Sequence, residues 1–144
     1  MKLVTGVITT LALSAGFAAA QGISGDTVKI GAVVDMTGVY SGNGGMGAVL
    51  GAEMAIEDFG GTVNGKPIEL LSANYQNRVD VASNLAREWI DRDGVDMIIE
   101  SMDSAAAIAT QNIGKEKNVL TIAAGSASTA LTNAECSATG IHYV

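Results

Sequence analysis

Val28-Lys29-Ile30-Gly31-Ala32-Val33-Val34 runs between two acidic residues, Asp26 and Asp35. Apart from Lys29 the stretch carries no charge and no polar side chain. A strand with one wet face alternates polar and apolar residues. A near-continuous apolar run of this length instead reads as a strand buried on both faces, which points to a parallel sheet.

The segments downstream fit that reading. Thr37 to Gly45 is a Gly/Ser-rich loop, and Met46 to Phe59 places Val49, Leu50, Met54, Ala55 and Phe59 at helical spacing before a Gly60-Gly61 stop. Val63-Asn64-Gly65-Lys66-Pro67 predicts a turn, because Asn-Gly tolerates the positive φ angles that tight hairpins need. Ile68 to Ala73 is a second strand. Asp80 is expected to cap a helix from Val81 to about Asp93, with Ala82, Leu85, Ala86, Trp89 and Ile90 on one stripe and Gly94 at its end. Val95 to Ile99 is a third strand. Asp103 or Ser104 caps a helix from Ala105 to about Lys115, and Val119 to Ala123 is a fourth strand. Gly125 to Glu135 reads as loop with a short helical piece, and Ile141 to Val144 as the start of a fifth strand. Strands alternating with helices specify an α/β class, a doubly wound parallel sheet with helices on both faces. The sequence reads as one such domain, unfinished at Val144.

Upstream, Lys2 is followed by an uncharged, mostly apolar run from Leu3 to Phe17 and then by Ala18-Ala19-Ala20-Gln21. A basic start, a short apolar core and a small-residue site predict a secretory signal peptide over residues 1–20, cleaved after Ala20. Thr, Ser and Gly interrupt the apolar run, which is short of the ~20 residues of a spanning helix. Removing Lys2 with the leader takes the net charge of -7 one unit further negative. Such an acidic domain argues against nucleic acid and against anionic membrane surfaces, both of which select basic faces. One Cys, Cys136, cannot form an internal disulfide, and with one His, His142, a protein zinc site is not expected.

In an open parallel sheet, ligands bind beyond the carboxyl ends of the strands. That rule selects Asp35 to Gly45, Asn74 to Arg78, Ser101 to Ser104 and Ala124 to Thr129. Ser101 and Ser104 stand before the third helix, whose N-terminus offers unpaired N–H groups and partial positive charge, while Ser126, Ser128 and Thr129 follow the fourth strand. Together they form a plausible cradle for a carboxylate. The plainer account of the first group is helix capping.

Gly42-Asn43-Gly44-Gly45-Met46-Gly47 matches G-x-G-x-x-G, but it does not follow the first strand directly, and the second strand runs into Ala73-Asn74-Tyr75-Gln76 without an acid for a ribose. No dinucleotide, and no other cofactor, is expected. A Ser/His/Asp arrangement would need His142, and no G-x-S-x-G elbow precedes a helix, so no catalytic residues are assigned and the chain is not expected to be an enzyme.

Several motifs in order carry a resemblance: Val28-Lys29-Ile30-Gly31, Met36-Thr37-Gly38-Val39-Tyr40, Gly44-Gly45, Met54-Ala55-Ile56-Glu57-Asp58-Phe59-Gly60-Gly61, Gly65-Lys66-Pro67-Ile68-Glu69, Gly94-Val95-Asp96 and Leu131-Thr132. They are similar to the branched-chain amino-acid-binding family of periplasmic proteins. The resemblance implies two α/β lobes joined by a hinge, with solute held between them and closure presenting the protein to an ABC permease in the inner membrane. Residues 21–144 would then be the first lobe, ending near the hinge crossing. By position, Ser104 matches the family's Ser for the solute carboxylate, Gly125 and Ala127 match the second strap, and Tyr40 to Asn43 match the loop over the solute side chain. Ala127 stands where the family brings a Thr, so Ser126 or Ser128 would supply the hydroxyl. Asn43 replaces a Trp, and Arg78 and Asp103 replace the cysteines of a first-lobe disulfide. These departures mark a divergent branch, with branched-chain amino acids or related amino and aromatic carboxylates as the solute class. The ligand-binding set is therefore Tyr40, Asn43, Ser104, Gly125, Ser126, Ala127 and Ser128. Competing readings are an exported α/β enzyme and a ligand-sensing receptor ectodomain. A cytoplasmic repressor is excluded by the export signal that stands where a DNA-binding helix-turn-helix would be.

Overall fold

A computed structural model of the chain describes Ile23 and residues 25–100 and 102–144. The expected leader, its cleavage site and Ser101 lie outside the described residues. The strands are β1 (Val28–Val34), β2 (Thr62–Val63), β3 (Lys66–Asn74), β4 (Met97–Glu100), β5 (Leu120–Ala123) and β6 (Gly140–His142). They form one sheet in the order β2-β3-β1-β4-β5-β6. All pairings are parallel except β2 with β3. The helices are α1 (Ser41–Gly44), α2 (Met46–Asp58), α3 (Val79–Glu88) and α4 (Ser104–Lys117).

β1 lies in the middle of the sheet, pairing with β3 from Val28↔Ile68 to Val34↔Asn74 and with β4 from Ile30↔Met97 to Val33↔Glu100. Its alternate residues enter two separate cores. Val33 packs with Ile98, Ala86, Trp89 and Ile113 beneath α3 and α4, while Ala32 and Val34 pack with Val49 of α2 on the opposite face. The doubly wound architecture follows from this two-sided burial. Gly31 faces Trp89, whose ring occupies the space a side chain there would need.

Local chemistry sets the ends of the elements. Asn64 and Gly65 have φ of 52° and 79° and form the tight turn between β2 and β3. This small hairpin extends the second predicted strand backwards through Pro67, which lies opposite Thr62 of β2 and one residue before the pairing with β1 begins at Ile68, near the start of the strand, where a missing N–H is tolerated. Asp80 does not cap its helix. α3 begins at Val79, Arg78 holds the cap position without a side-chain cap bond, and the Asp80 carboxylate pairs with the Arg78 guanidinium at 2.7 Å. An acid inside the first turn still faces the favourable end of the helix dipole. α3 widens into a π-turn over Trp89–Asp93 and stops at Gly94, φ 68°, in the left-handed conformation that glycine adopts without penalty. Asp103 caps α4 by accepting the Ala105 N–H at 2.9 Å. Asn118 ends α4 at φ 56°, with Lys115 and Lys117 in the last turn.

The α2 face is the open one. Leu50 and Met54 are each 56% exposed and Phe59 is 67% exposed, so of the predicted apolar stripe only Val49 is buried. Beside it lies an open apolar groove of about 280 Å³ lined by Ile30, Phe59, Ile68, Met97 and Ile99. No helix among the described residues is long and apolar enough to cross a membrane.

Candidate functional site

The connection leaving β1 goes to one side of the sheet, and the chain later returns to β4 on the other side. A crevice opens at such a switch point, outside the carboxyl ends of the strands. Three loops meet there, following β1, β4 and β5, which are consecutive neighbours in the sheet on the β4 side. Of the seven predicted ligand residues, Tyr40, Gly125, Ser126, Ala127 and Ser128 lie on these loops, Asn43 lies on α1 within the first connection, and Ser104 is the first residue of α4.

The loop after β1 is organised by Asp35, which is 1% exposed. Its carboxylate accepts the Gly38 N–H at 2.7 Å and the Tyr40 N–H at 3.1 Å, with Thr37 N–H more distant at 3.4 Å. A side chain at Gly38 would collide with that carboxylate, which explains the glycine. The same N–H groups are therefore already occupied by a carboxylate, and the glycines of the G-x-G-x-x-G match fall on α1 and the start of α2 instead of in a phosphate-binding turn. Asn74 ties this loop to β3 by accepting from the Met36 N–H at 3.0 Å and donating to Thr37 Oγ1 at 2.9 Å. Tyr40 is half-buried at the N-cap of α1, and Asn43 is exposed on α1.

The loops after β4 and β5 share one side chain. Glu100, the last residue of β4, is 1% exposed. Its Oε1 accepts the Met102 N–H at 3.0 Å and the Asp103 N–H at 2.9 Å, and its Oε2 accepts the Ser126 hydroxyl at 2.6 Å. Burial pushes the Glu100 carboxyl above its ordinary range, while these three donors pull it back down. The Ser126 carbonyl in turn accepts His142 Nε2–H. Ser126 is 0% exposed, so its hydroxyl serves Glu100 and does not face the crevice. Of the two serines expected to replace the strap Thr, Ser128 is the half-buried one. It caps the short 3-10 turn Thr129–Thr132, with its hydroxyl accepting the Ala130 N–H at 3.3 Å. Gly125 is half-buried, Ala127 is exposed and Ser104 is half-buried as the first residue of α4.

Tyr75, just past β3, is completely buried, and its hydroxyl has no hydrogen-bond partner among the described residues. Burial, followed by the negative field of Glu100, Asp103 and Asp35, pushes the phenol well above its usual range. Sequence reading missed Asp35, Glu100 and Tyr75 as organisers of the site. The available signal was positional, since Asp35 and Glu100 are acids placed directly at the carboxyl ends of apolar strands.

The arrangement places the N-terminus of α4 and the strap side by side at the carboxyl ends of β4 and β5. It supplies no nucleophile–base pair from Ser126 and His142, because His142 meets the main-chain carbonyl of Ser126 and not its hydroxyl. Among the described residues no group of three or more His, Cys, Asp or Glu is placed to hold a metal ion. Cys136 is exposed.

No curated protein matches the chain. Solved structures do. A periplasmic binding protein from Burkholderia mallei is 42% identical, with a TM-score of 0.80 over 82% of this chain and 32% of its own. A branched chain amino acid ABC transporter periplasmic ligand-binding protein from Burkholderia xenovorans is 40% identical, with a TM-score of 0.77 over 81% of this chain and 32% of its own. A solute binding protein of an ABC transporter from Rhodopseudomonas palustris, in complex with 3,4-dihydroxy benzoic acid, is 26% identical, with a TM-score of 0.70 over 82% of this chain and 32% of its own. The chain thus spans about a third of the length of these relatives. The family model described as periplasmic binding protein matches residues 27–144, which take in every element of the sheet and all three loops of the crevice, and the chain belongs to that family.

Proposed function

We propose that the chain forms the first lobe of a periplasmic solute-binding protein that captures a small carboxylate for an ABC permease of the inner membrane. The solute class is branched-chain amino acids or related amino and aromatic carboxylates. What supports the reading is the succession of β1, β4 and β5 as neighbours in the sheet, which sets the Tyr40–Asn43 loop, the α4 N-terminus at Ser104 and the Gly125–Ser128 strap at one end of a sheet whose sequence matches the family. Unpaired N–H groups at a helix start stabilise an anion without a full countercharge, which suits a solute that must later be released. The two relatives at 40% identity and above are a periplasmic binding protein and a branched-chain amino acid ligand-binding protein, and the more distant one holds an aromatic acid. Ser104 would meet the carboxylate, Gly125, Ala127 and Ser128 would form the strap, Tyr40 and Asn43 would cover the solute side chain, and Ser126 would hold the strap from beneath. The leader over residues 1–20 would direct export.

The test is a thermal-shift and calorimetric screen of the native polypeptide, purified from its own cells, against L-leucine, L-isoleucine, benzoate and 3,4-dihydroxybenzoate. A binding solute at a hundred times its Kd stabilises the folded state by about 2.7 kcal/mol, a shift of several degrees. Saturable stabilisation by one of these carboxylates, weakened by Ser104→Ala, is the expected result. Stabilisation by none of them, with a response only to uncharged ligands, would overturn the reading.

A further inference from the structure

We infer that Glu100 is a positioning residue that ties the two halves of the carboxylate cradle, the turn into α4 and the strap after β5, to a single buried side chain. Four observations carry this. Glu100 ends β4, in register with Ala123 at the end of β5, so the two loops leave the sheet side by side. One carboxylate oxygen receives Met102 N–H and Asp103 N–H, which fixes the residue that caps α4 immediately before Ser104. The other oxygen receives the Ser126 hydroxyl, in the centre of the strap. Both Glu100 and Ser126 are buried, and His142 holds the Ser126 carbonyl from the neighbouring strand β6.

Burying a carboxylate is costly unless its lone pairs are satisfied, so a fully satisfied one is a stiff connector. Three donors on two oxygens leave Glu100 little freedom, and neither loop can shift without breaking a charge-assisted bond. Loops are otherwise the most mobile parts of a fold. A residue that locks two of them together holds Ser104 and the Gly125–Ser128 strap at one spacing before any solute arrives. The consequence for affinity rests on the solute-binding reading above. The clamp itself does not.

The experiment therefore reads the clamp without solute first. Hydrogen–deuterium exchange is measured over residues 102–106 and 124–130 in the native polypeptide and in E100A, E100Q and S126A. Glu100→Ala is expected to speed exchange about tenfold or more in both segments together, as loss of a buried charge-assisted bond implies, with β1 unchanged. Ser126→Ala is expected to loosen residues 124–130 and leave 102–106 protected. Glu100→Gln keeps an acceptor for Met102 and Asp103 and can donate its amide to Ser126 Oγ, so both segments should stay within about threefold of wild type. Should E100A fail to fold, S126A and E100Q still decide. Unchanged exchange of the strap in S126A, or E100Q as loose as S126A in the strap, would overturn the clamp. Calorimetry with L-leucine, L-isoleucine, benzoate and 3,4-dihydroxybenzoate follows. Whichever wild type binds should bind about tenfold more weakly to S126A and within about threefold to E100Q, the order a positioning role predicts. If wild type binds none of the four, the solute reading fails while the exchange result still judges the clamp.

Discussion

Gly31→Ala tests whether β1 sits against α3 as described. An added Cβ would lie 2.5 Å from Trp89 Cε3 and 2.8 Å from Cζ3, against the ~3.5–4.0 Å at which carbon atoms pack best. The ring would have to retreat by about 1 Å. It has little room, because Trp89 is 7% exposed and Val95 Cγ1 stands 3.4 Å from the same point. Overpacking of this kind costs about 1–3 kcal/mol. Replacing glycine in a strand returns about 0.5–1 kcal/mol through lower backbone entropy in the unfolded chain. An approach this close to a rigid ring belongs at the upper end of that range, about 2–3 kcal/mol, so the net expectation is a loss of about 1–2.5 kcal/mol. Trp89 is the one tryptophan of the sequence, so urea unfolding followed by its fluorescence reads both stability and the altered ring environment. The strain should be coupled to the ring. In a double-mutant cycle with Trp89→Leu, followed by circular dichroism, the Gly31→Ala cost should largely vanish. A Gly31→Ala variant within about 0.5 kcal/mol of wild type, or a cost that persists without the ring, would refute the packing.

Further expectations follow from other parts of the structure. Gly51 lies inside α2 with no atom near the position of an added Cβ, so Gly51→Ala should stabilise by about 0.5–1 kcal/mol in the same urea titration. Tyr75→Phe removes a buried hydroxyl that has no partner among the described residues, and the variant should match or exceed wild-type stability, whereas a loss above about 1 kcal/mol would show that the hydroxyl is bonded. Asp35→Ala strips the acceptor from Gly38 and Tyr40 N–H, and should cost about 2–3 kcal/mol and speed exchange of residues 37–41, read by chemical denaturation and deuterium uptake. Glu100 holds its proton more tightly when folded than its ordinary value of 4.5, so the folded state binds more protons than the unfolded one in the window above that value. Its contribution to stability is then greatest at acid pH and is lost as pH rises through the raised value. Urea midpoints measured across pH should show that decline in wild type, and Glu100→Gln should abolish its share.

Much of this was legible in the linear sequence because it depends on neighbours along the chain. The apolar run Val28–Val34 reads as a doubly buried strand, and the strand has those limits, buried from Gly31 to Val34 and half-buried from Val28 to Ile30. Trp89 sits on a helical stripe and lands in the core. Asn64-Gly65 announces a turn whose two positive φ angles the structure contains. Periodicity, capping and turn chemistry act over a few residues, so the sequence displays them. Alternation of strands and helices then leaves few topologies to choose from.

The organisation of the site was set at longer range. Ser126 reads as an exposed hydroxyl on a loop, and only the pairing of β4 with β5 brings it onto Glu100, 26 positions away. Asp80 looks like a cap and instead meets Arg78, because the chain enters α3 two residues earlier. The apolar stripe of α2 predicts burial, yet Leu50, Met54 and Phe59 stay exposed because no described element packs over that face. Local pattern decides which elements form and which residues their faces carry. Which loop hydroxyl meets a solute and which meets a buried carboxylate is decided by side-chain contacts between strands far apart in the chain, and those exist only once the sheet has assembled.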